Sequence, residues 1–310
     1  MSLKALLDDG ARFAAEYRGG LSNHRPMALV ALKRLGADDA RLAAFADASA
    51  ARLEPAPPAE AWPSGDAWAG RLGDSTAWPA YRSLFAEWLA HDGAEVLLRQ
   101  ALPVLLPGIG AAAFHGLIRT AYAVQAAHAG ELADGLAYWA CRFLPLDGTL
   151  PTADNGLIFE QMQRAAALPG FETSVAALPV DAGTLERLGR QAAALYAASG
   201  NFTVLHLVTS AHALRVLLPF VDEPLAAVQA YVRAFVAGQI ACGAQAGEPA
   251  EPLPWADLIA VALASDDEHL IKLVDSCREE ERAYGGRGGG GEWQQAASRV
   301  VGQRSPRAPR

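Results

Sequence analysis

The chain has 310 residues, 52% of them hydrophobic and only 19% charged, with a formal net charge of −8. That length accommodates one large or two medium domains with a sizeable core, and the acidic balance argues against a general nucleic-acid partner. Three cysteines (Cys141, Cys242, Cys277) match neither a disulfide framework nor a paired-cysteine zinc site, so a reducing, cytoplasmic setting is the default expectation.

Apolar residues recur with helical spacing along most of the chain. Helices are predicted over 3–17, 24–35, 38–53, 77–91, 94–105, 110–127, 130–142, 153–167, 183–198, 202–217, 222–244 and 254–283. Strand-like alternation is scarce. No run approaches 18 uninterrupted apolar residues, so no membrane span is expected. Turn signals stand at Pro55–Gly65, Pro145–Gly148 and Gly247–Pro249. The expected fold is all-α, a multi-helix orthogonal bundle around a central buried site, in one domain over residues 1–284. Residues 285–310, rich in Gly, Arg and Pro, read as a flexible tail.

Gly108-Ile109-Gly110-Ala111-Ala112-Ala113 matches a dinucleotide fingerprint in letters, but no parallel-strand pattern surrounds it. Seven histidines carry more information. His91 and His128 read as surface residues at helix termini. His24 follows two candidate caps, Ser22 and Asn23, and precedes Pro26, which puts it at a helix start. His115 shares a helical stripe with Arg119 and Tyr122. His206 and His212 are six residues apart and point about 120° away from each other on a helix; His206, with Thr209 and Ser210 one turn on, is preferred, and His212 is held in reserve.

His269 and Lys272 lie three apart on one predicted face. Lys272 is one of only three lysines, set among Leu270, Ile271 and Leu273. A solvated lysine with a buried stem is the bland reading. Buried, its amine would shift toward the neutral form and could add carbon dioxide, giving a carbamate that ligates like a carboxylate. Several histidines with one anionic oxygen suit Fe(II), with Mn or Zn as alternatives. Asp266, three before His269, competes with Lys272 for the oxygen position.

The segments Ser22–Ala37, Ala113–Ala123, Leu205–Thr209 and Asp267–Lys272, in that order, resemble the questin oxidase-like family. The resemblance implies an α-helical oxygenase that opens aromatic or quinone-like polyketide rings by Baeyer–Villiger-type oxygen insertion or C–C cleavage. NADPH would be the reductant. It further implies a non-haem metal held by His24, His115, His206, His269 and carboxylated Lys272. Dioxygen and a small aromatic molecule are the expected partners. On the spacing from His115, Arg119 would stabilise a developing oxyanion and Tyr122 would relay a proton. Two rival readings stand beside this one: a metal-dependent hydrolase of an ester or lactone, and a non-catalytic helical binding protein whose histidines are core residues.

Overall fold

The computed structural model describes residues 1–63, 65, 67–152, 154–285 and 291–304. Among them the architecture is an all-α bundle with one two-stranded hairpin. The first helix, α1 (Leu3–Gly10), is capped by the Ser2 hydroxyl and ends short of the predicted Tyr17. The residues after it form the antiparallel hairpin of β1 (Glu16–Tyr17) and β2 (Leu21–Ser22), turned by Gly19 and Gly20 at positive φ. Helices α2 (Arg25–Leu35) and α3 (Asp39–Ala50) follow.

The long helix α4 (Trp78–Leu105) is broken at Gly93, where φ is 80° and ψ 168°. Glycine tolerates that conformation, and the break separates the two helices expected from the sequence. Beyond it come α5 (His115–Gln125), α6 (Ala129–Cys141), α7 (Ile158–Ala166), α8 (Phe171–Ala176), α9 (Thr184–Ser199), α10 (Phe202–Leu217) and α11 (Pro224–Cys242). The predicted helix over 254–283 is two, α12 (Trp255–Ala264) and α13 (Glu268–Tyr284), separated where Asp267 caps the second.

Helix α10 is at the centre, packing on α5, α9, α11 and α13, while α13 also packs on α2. With the 3-10 turn that follows it, it spans Phe202–Phe220, long and apolar enough by composition to cross a membrane, yet 72% of it is buried in the protein. Helix α5 lies so close to α6 that a Cβ on Gly116 would sit 2.7 Å from the Trp139 backbone. A glycine is therefore required beside His115.

The tail departs from expectation. Residues Glu292–Arg304 form a helix, α14, packed on α9 and α13. Trp293, Ala296, Ala297, Val300 and Val301 are all buried. Their i, i+3, i+4, i+7, i+8 spacing is that of an amphipathic helix, and burying a side chain as large as tryptophan is worth about 2–3 kcal/mol. The flanking Gly and Arg runs masked this short signal. The remainder of the expected tail, 286–290 and 305–310, lies outside the described residues.

Candidate metal centre

Four helix starts supply the site. His24 is the N-cap of α2 and His115 the first residue of α5. His206 is in the first turns of α10 and His269 in the first turn of α13. One ligand nitrogen from each of the four lies within 4.8 Å of all the others, a group that could hold a metal ion. His24, His115 and His206 are buried. At His24, His115 and His269 the partial positive charge of the helix start disfavours a protonated imidazole and favours an anion nearby.

The approach to His115 is strained. Ala112, Ala113 and Phe114 have φ of 46°, 55° and 69°. Left-handed conformations cost non-glycine residues roughly 1–2 kcal/mol each, and strain of this kind collects at functional sites. It turns the Ala112 carbonyl back to accept a hydrogen bond from His115 Nδ1 at 2.6 Å. His206 Nδ1 likewise donates to the Phe202 carbonyl at 2.8 Å. A carbonyl can only accept, so both rings carry their proton on Nδ1 and direct the Nε2 lone pair elsewhere, as ligand histidines do. His24 Nε2 and His115 Nε2 are 2.9 Å apart. That is hydrogen-bond distance, and with the His115 proton on Nδ1 the His24 ring is the donor; the same two nitrogens would be free to hold an ion once that proton is lost.

Burial holds His24 and His115 well below the usual histidine range, reinforced by neighbouring positive charge from Lys272 on His24 and from His206 and Lys272 on His115. Lys272 is fully buried. Burial pulls its pKa from 10.5 to about 7, against the opposing effect of Glu268 and Asp267. Among the described residues its Nζ has no hydrogen-bond partner. Lys272 is not among the residues lining the cavity beside these histidines, but its charge acts on His24 and His115, and an orphaned, partly neutral amine within that range is the donor chemistry a metal or its carbamate ligand would need.

The four histidines line a cavity of about 340 Å³. Its other walls are mostly apolar: Leu21 from the hairpin, Leu157, Ile158 and Phe159 at the start of α7, and Phe202. Phe202 packs on His206 and His269 with ring centroids 4.9 and 4.8 Å away. Sequence reasoning missed Phe202, although its position four before His206 places it on the same helical face.

Several expected residues lie elsewhere. Arg119 is held by Glu131 at 3.0 Å and by Asp134 at 3.2 Å, fully buried and outside the cavity lining. The Tyr122 hydroxyl donates to Asp275 at 3.1 Å. The stripe from His115 was read correctly, but it runs along the helix axis. Four and seven residues carry it about 6 and 10 Å from His115, and the structure gives neither residue an oxyanion or proton-relay position. Asp266 is solvent-exposed and paired with Arg41 at 2.9 Å, which removes it as a competitor for the oxygen position. His212 Nδ1 is bound to Glu280 at 2.7 Å and its Nε2 faces Gln125, apart from the four-histidine group.

His91 is exposed as expected, just before the Gly93 break. His128 is not a surface residue. It is buried, caps α6 by accepting from the Glu131 amide, and pairs with Asp8. Gly108–Phe114 form tight turns leading into α5, and the described residues contain no parallel sheet.

Fold and site together define an all-helical protein with a buried four-histidine group, able to hold a metal ion, on the wall of an apolar cavity. The chain belongs to the questin oxidase-like family, whose model matches residues 21–170 and 180–277, a span that includes all four histidines and Lys272. No curated protein matches the chain.

Proposed function

We propose that the protein is a non-haem metal oxygenase acting on a hydroxylated or quinone-like aromatic substrate, with Fe(II) as the metal. The observation that carries this reading is the convergence of four imidazoles from four helix starts on the wall of an apolar cavity. In this reading His24, His115, His206 and His269 hold the ion through ring nitrogens, and Lys272 contributes an anionic oxygen as its carbamate. Carbamate formation joins the Nζ lone pair to the carbon of CO₂ and releases one proton, so it needs the neutral amine that burial favours. When bound, such a metal supplies activation of dioxygen and polarisation of a substrate oxygen.

The chain's own residues do the rest. Leu157, Ile158, Phe159 and Phe202 offer flat apolar surface to an aromatic ring and exclude water from it. The helix starts favour a phenolate or enolate at the histidine end. Insertion of one oxygen atom sends the other out as water, which requires two electrons and two protons; NADPH and a solvent proton are the proposed source.

The test is metal analysis with oxygen uptake. After anaerobic reconstitution we expect about one iron per chain, by analogy with mononuclear histidine sites, and NADPH-dependent oxygen consumption with a panel of hydroxylated anthraquinones. Carbon-13-labelled CO₂ should give a protein carbamate resonance that Lys272→Met abolishes. A protein that binds no stoichiometric Fe, Mn or Zn, or that turns over the panel equally well without oxygen, would sink the reading.

A further inference from the structure

The hairpin beside the cavity carries a hydrogen-bonded chain that the metal chemistry does not use. Glu16 and Ser22 are direct cross-strand partners in the β1–β2 register, so their side chains stand on the same face of the hairpin. Tyr138, from α6, bridges them. Its hydroxyl is 2.7 Å from Ser22 Oγ and donates to Glu16 Oε1 at 3.0 Å. Because the single phenolic proton goes to Glu16, the Ser22 hydroxyl is the donor in the first bond, and the chain runs in one direction from serine to carboxylate.

Its two ends lie in different cavities. Ser22 lines the histidine cavity. Glu16 and Tyr138 line a separate cavity of about 310 Å³. Ser22 and Tyr138 are buried, whereas the Glu16 side chain is 17% exposed and ion-paired with Arg142. Burial, with the neighbouring Glu16 charge, holds the Tyr138 phenol well above its ordinary range, so it stays protonated and can pass a proton on without itself ionising.

We propose that Ser22, Tyr138 and Glu16 form a proton relay that takes the proton of a hydroxylated aromatic ligand out of the histidine cavity to solvent behind the hairpin. The ligand hydroxyl gives its proton to Ser22 Oγ as the serine proton passes to Tyr138 Oη and the phenolic proton to Glu16 Oε1. Each hydroxyl ends with one proton, the ligand becomes a phenolate, and Glu16 releases the proton to water. A ligand packed on Leu157, Phe159 and Phe202 keeps water from its hydroxyl, and the relay provides a route out for the proton. The relay rests on the proposed ligand class but not on oxidation.

The test separates the two. 4-Nitrophenol, whose absorbance reports its ionisation, is bound to the full-length protein without oxygen or NADPH and subjected to a stopped-flow pH jump. Tyr138→Phe should slow deprotonation of the bound probe at least about tenfold, the lower end of what positioned proton transfer contributes. Glu16→Ala should slow it similarly and recover with added formate, which Tyr138→Phe should not, a pattern that a packing role for the tyrosine would not produce. Equal rates in wild type and both variants, or no binding of the probe to wild type, overturns the relay. Intact relay kinetics in a protein that consumes no oxygen would support the relay and count against the oxygenase reading alone.

Discussion

Replacing Lys272 by methionine tests the buried amine directly. The two side chains have similar length, and methionine fills irregular space without a charge. Burial lowers the lysine pKa from 10.5 to about 7, and at about 1.4 kcal/mol per pH unit that drop corresponds to roughly 4–5 kcal/mol of destabilisation while the amine is charged in the fold. Between pH 7 and 10.5 the unfolded chain binds a proton that the folded one does not, so stability rises with pH through that window. The metal-free, CO₂-free protein should therefore gain roughly 4 kcal/mol from Lys272→Met at pH 7 and less than about 1 kcal/mol at pH 10. Urea unfolding at the two pH values measures both, while the same variant should fail to retain iron. A variant that is less stable than wild type at pH 7, with a deficit independent of pH, would mean that the amine has a charged partner in the fold and would refute the argument.

Three further outcomes follow from the geometry. His206→Ala should weaken metal binding by more than about 100-fold, beyond the loss typical of outer-shell changes, whereas His212→Ala and Asp266→Ala should leave metal content unchanged; equilibrium dialysis followed by elemental analysis distinguishes them. Arg119→Ala strips the buried Glu131 of its ion pair, while Asp134 keeps Arg82, and should cost about 3–5 kcal/mol in chemical denaturation, while Tyr122→Phe should leave turnover per bound metal unaltered, since its hydroxyl faces Asp275. Gly116→Ala forces α5 away from Trp139 and should cost about 1–3 kcal/mol, with metal affinity falling as well because His115 is the adjacent residue; an unchanged unfolding midpoint would contradict the close approach.

The helical architecture was legible because each helix is encoded by neighbouring residues. Apolar spacing and the Ser22-Asn23-His24-Arg25-Pro26 start are local signals, and they placed His24 at a helix start; the Asp267 cap that starts α13 beside His269 falls inside the helix predicted over 254–283, and only the structure shows it. The errors have physical causes too. Helical periodicity alone did not locate the hairpin after α1, because two-residue strands carry almost no periodicity. The stripe from His115 to Tyr122 was a real helical face, but a face has length, and only its first residue meets the cavity. His128 looked like a surface residue because nothing near it in sequence announces Asp8, 120 residues away.

By itself the sequence determined that the protein is helical, that His24 lies near a helix start while His115, His206 and His269 lie within helices, and that Lys272 sits in an apolar setting. Only the tertiary structure decided which of these meet. It chose His206 over His212, paired Asp266 with Arg41, locked Arg119 between two carboxylates, and joined Ser22 to Tyr138 across 116 residues. Helix formation depends on contacts three and four residues apart, which a linear reading contains. Convergence of α2, α5, α10 and α13 depends on how buried faces fit together over long separations, where many pairings satisfy the same pattern and packing selects one.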